Sequence, residues 1–314
     1  YILFKTILIK GLKNLKHNYR IIFLKSVNPK YIITYRYDNK SFYELKNHLG
    51  HVKTILIQWG KTRKEHFVNF DKEKNNYHVD QMYLHGAETA KIFSTFIKGK
   101  TFSIGSIANN RFRFDEKIKK DSLLFISQAK SNRILPEIEK IIIKFLKDYC
   151  LEKKLRFAIS TRVLPEDLSG KHKYEKILGK SGWNYYPRSK PDVTGDYEHY
   201  SKVMQSNYIV SIDSTLGYES LARGNPTLIL SGLRGENLKI KGLDYGWPGK
   251  HRVEGFFWIN KFNKNLIFQK LDKLFNIKKN KFEMILKSEK YFSKVMAYDE
   301  NNIKINKLIE KFMK

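Results

Sequence analysis

The residues best suited to chemistry lie in the stretch Ser211-Ile-Asp-Ser-Thr-Leu-Gly-Tyr-Glu-Ser-Leu-Ala-Arg-Gly-Asn-Pro226. Apolar runs flank it, Tyr208-Ile-Val210 before and Thr227-Leu-Ile-Leu230 after. The pattern reads as strand, polar turn, helix, glycine stop, strand. Ser214 and Thr215 suit the N-cap of that helix. A helix N-terminus presents free N–H groups and a positive dipole end, which is chemistry for a phosphate. Gly217 opens the helical stretch and is grouped with the ligand-binding residues. Glu219, about one turn in, comes within reach of a ribose. Asp213 reads either as a catalytic carboxylate or as an Asx-turn residue. The same string also describes a capped βα unit that holds no ligand.

Other turns after apolar runs carry polar groups. Gln58-Trp-Gly-Lys-Thr-Arg63 offers Gly60 for a tight turn, with Lys61 and Arg63 to hold an anion. His85-Gly-Ala-Glu88 and Ser127-Gln128 follow two further runs, and Arg162 follows Ile159-Ser160, where it could grip a phosphate with both guanidinium arms. In an open α/β sheet all of these fall on the edge formed by the carboxyl ends of the strands, where ligands bind. Trp247 and Trp258 sit in a Gly- and Pro-containing stretch and read as a stacking wall or as core plugs. No protease elbow, Walker loop, HExxH motif or dinucleotide fingerprint is present.

Placing these turns requires alternating strands and helices. Strands are expected at 31–35, 54–58, 81–85, 101–105, 122–127, 155–160, 208–210 and 227–230, and a strand or turn at 256–259. Helices are expected at 41–49, 87–98, 135–151, 174–178, 198–205 and 301–314. Alternation argues for parallel sheets with helices on both faces. The polar, basic segment 106–120 divides the chain. The expected fold class is α/β, two Rossmann-like domains facing a central cleft. Residues 1–116 form the first domain, 117–300 the second, and 301–314 a basic C-terminal helix.

At 314 residues with 41% hydrophobic content, the chain can build two real cores. Lys plus Arg number 60 against 31 for Asp plus Glu, a net charge of +29. Such a surface attracts polyanions, phosphorylated substrates and anionic lipid head groups. The basic residues are spread over most helices and no nucleic-acid motif accompanies them, so no specific nucleic-acid partner is expected. The single Cys150 permits no intrachain disulfide and no cysteine metal site, which fits a reducing compartment. No apolar run approaches the roughly 18 residues of a membrane span. The chain begins at Tyr1 rather than Met, as a fragment would.

Several of these segments also carry a family resemblance. Tyr208 to Gly224, Gly246-Trp-Pro-Gly249 and Gly255-Phe-Phe-Trp258 resemble a bacterial family of surface-carbohydrate biosynthesis proteins. So do Tyr37-Asp-Asn39 with Phe42-Tyr43, the Gln58–Arg63 turn, Ile104-Gly-Ser106 with Asn110, Leu124 to Gln128, and Arg188-Ser189. Such proteins are similar to GT-B glycosyltransferases that build capsule or lipopolysaccharide from nucleotide-activated sugars, including CMP-linked 2-keto sugar acids. The resemblance implies a donor held by the second domain near Ser127, Gln128, Ser214, Thr215 and Glu219. It implies a glycan or lipid-linked acceptor on the first domain near Gln58, Gly60 and Arg63. His85 and Glu88 become candidate general bases, and no metal or other cofactor is expected. A cytoplasmic enzyme resting on the anionic inner face of the membrane is implied. Trp59 departs from the pattern, standing where a small polar residue is expected. A sugar-nucleotide epimerase or hydrolase on the same plan, and a non-enzymatic polyanion-binding protein, are the competing readings.

Overall fold

The computed structural model describes residues 2, 4, 7–8, 15–60, 77–112, 121–127, 135, 137–188, 198–212, 214–230, 255–259, 262–289 and 294–314. The chain folds as two compact α/β units, Tyr1–Ile104 and Gly105–Lys314.

In the first unit four parallel strands lie in chain order: β1 (Tyr31–Thr34), β2 (Lys53–Ile57), β3 (His78–Leu84) and β4 (Lys98–Ser103). Helix Ala87–Phe96 links β3 to β4, and helix Leu15–Val27 precedes β1. The helix expected over 41–49 is broken. One turn, Lys40–Tyr43, gives way to a 3-10 turn, Leu45–Asn47. The break turns Leu45 and Leu49 into the same core as Phe42, Tyr43, Val52, Leu56 and Met82.

The second unit has six parallel strands: β5 (Ser122–Ile126), β6 (Arg156–Ser160), β7 (Asn184–Tyr186), β8 (Tyr208–Ser211), β9 (Thr227–Leu230) and β10 (Trp258–Ile259). Their spatial order is β10-β9-β8-β5-β6-β7. The chain winds outward from β5 through β6 to β7, crosses back, and winds the other way from β8. That is the order of a doubly wound dinucleotide-type domain, and the reversal lies between β5 and β8. β5, β8 and β9 are buried along their whole length, as apolar runs covered on both faces should be. Successive residues serve opposite faces. Leu123 and Phe125 pack with Ile142, Leu146 and Leu271, while Leu124 and Ile126 pack with Val203. Each such side chain contributes roughly 1.5–3 kcal/mol on burial.

The units divide at 104/105, earlier than the expected 116/117. The turn Ser106–Arg111 is bonded into the second unit: Asn109 Nδ2 donates to the Glu219 carbonyl at 3.0 Å, and Arg223 Nη1 donates to Asn109 Oδ1 at 2.6 Å. Gly105 has φ of +75°, and a Cβ there would stand 2.2 Å from the Ala297 carbonyl oxygen, so only glycine fits. The last helix, Ile303–Met313, is likewise part of this unit rather than a separate segment. The Asp299 carboxylate accepts from the N–H groups of Lys304 and Ile305 at 2.9 Å each, and Asn302 donates to the Ile107 carbonyl at 3.0 Å.

Candidate functional site

The strand reversal brings together the ends of β5 and β8. Ile126 lies opposite Ser160 on one side and Ser211 on the other. The ladder continues one residue further, with the Ser127 N–H donating to the Ser160 carbonyl at 2.9 Å. Ser127 is fully buried. Its hydroxyl accepts from Tyr174 at 2.7 Å and donates to the buried Glu139 carboxylate. That inward chain fixes the end of β5 against helices Glu137–Glu152 and Leu168–Leu178.

Beyond β8 comes helix Thr215–Ala222. Ser214 holds the N-cap position in extended backbone, and its carbonyl accepts from Gly217 at 3.1 Å and Tyr218 at 3.3 Å. Its side chain makes no cap bond, contrary to the sequence expectation, so the first N–H groups are not covered by it. Thr215 begins the first turn half-buried. Gly217 packs so tightly that a Cβ there would stand 2.5 Å from both Cβ and Oγ of Ser211. The glycine lets the helix seat against the strand end, the role of a packing glycine in nucleotide-binding turns. Ser211 itself is fully buried, and its Oγ finds no hydrogen-bond partner among the described residues. Gly224, with φ of +103°, ends the helix as the sequence pattern predicts.

Glu219 is held differently from the expected ribose contact. It is 3% exposed, and its carboxylate accepts from Tyr200 at 3.0 Å and from Ser106. Burial raises its pKa, against the lowering pull of those hydrogen bonds and of the Arg223 guanidinium. Tyr200 in turn stacks on Phe112 with ring centroids 5.0 Å apart. Glu219 thus joins the 105–112 segment to the helix behind the reversal. Arg162 stays exposed in the turn after β6, on the same sheet edge as Ser127 and Ser211. Trp258 is a core plug, 7% exposed beneath Gly255, where a Cβ would meet its ring at 2.2 Å. Gln128, Asp213 and Trp247 lie outside the described residues.

In the first unit the polar turns after β2 and β3 are tied together by one side chain. Gln58 is 1% exposed; its Nε2 donates to the Gly60 carbonyl and its Oε1 accepts from the His85 N–H, both at 2.8 Å. Gln58 is therefore a strut rather than a lining residue. Gly60 has no positive φ, and a Cβ there would make an ordinary contact with the Tyr37 ring at 3.8 Å, so the turn does not demand glycine. His85 is fully buried, and desolvation lowers its pKa to about 3. A ring of such low basicity is a poor proton acceptor. Glu88 lies in the first turn of helix Ala87–Phe96, partly exposed and paired with Lys91 at 2.9 Å. Trp59 is 49% exposed and meets Tyr35 edge-on at 6.1 Å. Lys61 and Arg63 lie outside the described residues.

Ser211 stands at the head of the stretch singled out in the sequence but is given no role there, and Tyr200, Glu139 and Tyr174 are not among the candidates. Ser211 carried a signal: it is the one polar residue closing the run Tyr208-Ile-Val-Ser211, six positions before a glycine. The other three are ordinary helix residues in sequence, and only the fold collects them.

A family profile described as "putative O-antigen biosynthesis protein" matches residues 55–313. No curated protein matches the chain in sequence. Among solved structures, a "putative UDP-N-acetylglucosamine 2-epimerase" from Listeria monocytogenes is similar at TM-score 0.58 and 10% identity, over 97% of this chain and 80% of the other. MnaA of S. aureus, in complex with UDP, is similar at TM-score 0.53 and 13% identity, over 96% and 79%. The pneumococcal O-GlcNAc transferase GtfA, in complex with UDP and GlcNAc, gives 0.53 and 12%, over 95% and 60%. At these identities the likeness is one of fold, and the fold is GT-B-like, shared by glycosyltransferases and epimerases.

Proposed function

From the premise that the chain belongs to this family of O-antigen biosynthesis proteins, we propose that it is a glycosyltransferase. It moves a sugar from a nucleotide-activated donor to a surface polysaccharide or lipid-linked glycan. One observation carries the reading. At the β5/β8 reversal, a helix N-terminus without a side-chain cap from Ser214, a glycine pressed against the strand end and the Ser211 hydroxyl, unpartnered among the described residues, coincide. Ligands of doubly wound sheets bind at such a reversal. The donor phosphates sit at the N–H groups of Thr215 and its neighbours, with exposed Arg162 on the same edge to pair them. As the sugar leaves, the helix dipole and these donors stabilise charge on the departing phosphate, and the transfer runs without a metal. Ser127 and Glu219 position the strand end and the helix rather than touching the donor. Glu88, partly exposed, is the better general base than His85, which burial keeps neutral and weakly basic. UDP in the MnaA and GtfA structures supports a nucleotide-linked donor.

The likeness to the Listeria protein supports a second reading, an epimerase or hydrolase of a sugar nucleotide. Incubation with UDP-, CMP-, GDP- and dTDP-sugars separates the two when products are read by mass spectrometry. Nucleotide release that depends on a glycan acceptor is expected. Isomerised or free sugar without acceptor favours the second reading, and turnover of no donor overturns both.

Docking at an anionic membrane is part of the proposal. Helix Leu15–Val27 exposes Tyr19, Phe23 and Val27 at 38%, 42% and 56%, and carries Lys16, Arg20 and Lys25 with no acidic residue. An apolar stripe flanked by basic residues suits a lipid interface. No described helix is long and apolar enough to cross a membrane.

A further inference from the structure

Two large aromatic side chains stand exposed together at the edge of the first sheet. Tyr35 follows β1 and Trp59 follows β2, neighbouring parallel strands, so both lie at the carboxyl edge. Tyr35 is 50% exposed and Trp59 49%, and their rings meet at 72° with centroids 6.1 Å apart. Single exposed aromatics are ordinary on protein surfaces; a touching pair on the ligand-bearing edge of a parallel sheet is not.

The pair is braced. Gln58, immediately before Trp59, has its N–H bonded to the Tyr83 carbonyl at 2.9 Å, and its side chain grips the backbone on either side through Gly60 and His85. The backbone at Trp59 is therefore held from both flanks, and its indole is presented by a fixed turn rather than a loose one. Beside Tyr35, Arg36 and Asp38 form a two-point pair at 3.3 Å on the surface, with side chains 76% and 55% exposed. Aromatic faces bordered by exposed donors and acceptors suit a sugar ring, the class the proposed activity calls for. A pyranose has a ring face of C–H groups that stacks on an aromatic ring and a rim of hydroxyls that hydrogen-bonds.

We infer that Tyr35 and Trp59 form a stacking platform for a pyranose ring of the acceptor glycan, with Arg36 and Asp38 meeting its hydroxyls. Trp59 then sets which acceptor this chain accepts. The inference rests on the proposed transferase activity, but its test reads acceptor and donor separately.

The protein and its variants are titrated calorimetrically with a panel of purified bacterial O-polysaccharide fragments, and tryptophan fluorescence is followed in the parent. Binding of UDP, CMP, GDP and dTDP is measured in parallel by thermal shift. At least one fragment is expected to bind with a change in indole emission. Trp59→Ala and Tyr35→Ala lower that affinity tenfold or more, Trp59→Phe retains most of it, and all three keep the nucleotide shift and the melting temperature of the parent. Because both side chains are half exposed, these variants fold. Glycan binding undiminished in Trp59→Ala, or no binding of any fragment by the parent protein, overturns the platform. Absence of a shift with UDP, CMP, GDP and dTDP alike in the parent overturns the transferase reading, while the glycan titration still decides the platform.

Discussion

His85 and Gly217 show how single residues are committed by their surroundings. The His85 ring is fully buried and its pKa falls to about 3, against an ordinary 6.5. Above pH 6.5 both folded and unfolded chains carry it neutral, and its contribution to stability is complete. Below that the unfolded chain binds a proton that the folded protein refuses, so stability falls until about pH 3. His199, lowered to about 4 by burial and by Arg188, acts in the same direction. Urea unfolding between pH 7.5 and 4 therefore shows a falling midpoint, and His85→Asn flattens that fall; an unchanged slope rejects the assignment. Gly217→Ala forces a Cβ to 2.5 Å from Ser211 and should cost about 1–3 kcal/mol of stability. It should also weaken nucleotide binding more than tenfold, since the first turn must move. Glu219→Ala leaves the Arg223 guanidinium, 6% exposed, without its neighbouring charge, at a cost of roughly 3–5 kcal/mol, whereas Glu219→Gln keeps the Tyr200 bond and loses less. Calorimetric melting of the two variants tells them apart. At this scale the sequence told residue type but not direction. Ser214 could be assigned the N-cap from its spacing, yet whether its hydroxyl turned to the helix depended on neighbours that spacing does not reveal.

Elements were more legible, because burial on both faces writes itself as an unbroken apolar run. Ser122-Leu-Leu-Phe-Ile126 and Tyr208-Ile-Val-Ser211 could hardly be anything but central strands, and they flank the reversal. The stretch 41–49 misled, since its composition is helical but Leu45 and Leu49 are needed in the core on a turn tighter than an α-helix allows. The 105–112 segment misled in the other direction. Its polar residues look like a solvated linker, and instead Asn109 and Asn110 are fully buried and bond across long stretches of sequence. Helix Leu15–Val27 supports a test of its own. Replacing Tyr19 and Phe23 by Ser should reduce sedimentation with phosphatidylglycerol vesicles several-fold while leaving binding to phosphatidylcholine vesicles weak in both proteins, and salt should diminish the parent's binding. Equal sedimentation of parent and variant removes the helix from the docking surface.

For the whole molecule, the net charge of +29 draws anions toward it but selects none of them. In the proposed function, selection comes from where the sheet reverses. The alternation of strands and helices made an α/β fold readable in advance. The strand order was not readable, because parallel strands of similar composition can be permuted without changing the pattern. That order places Ser211, Thr215 and Gly217 at the point where doubly wound domains hold their ligands. Calorimetric titration with UDP, CMP, GDP, dTDP and duplex DNA at physiological salt tests this most directly, with hydrogen exchange locating the bound ligand. The account predicts that one nucleotide binds, that saturation at a hundred times its dissociation constant adds about 2.7 kcal/mol of stability, and that protection appears over 211–218 and weakens in Gly217→Ala. Binding of DNA alone, or nucleotide binding that leaves 211–218 unprotected, contradicts it.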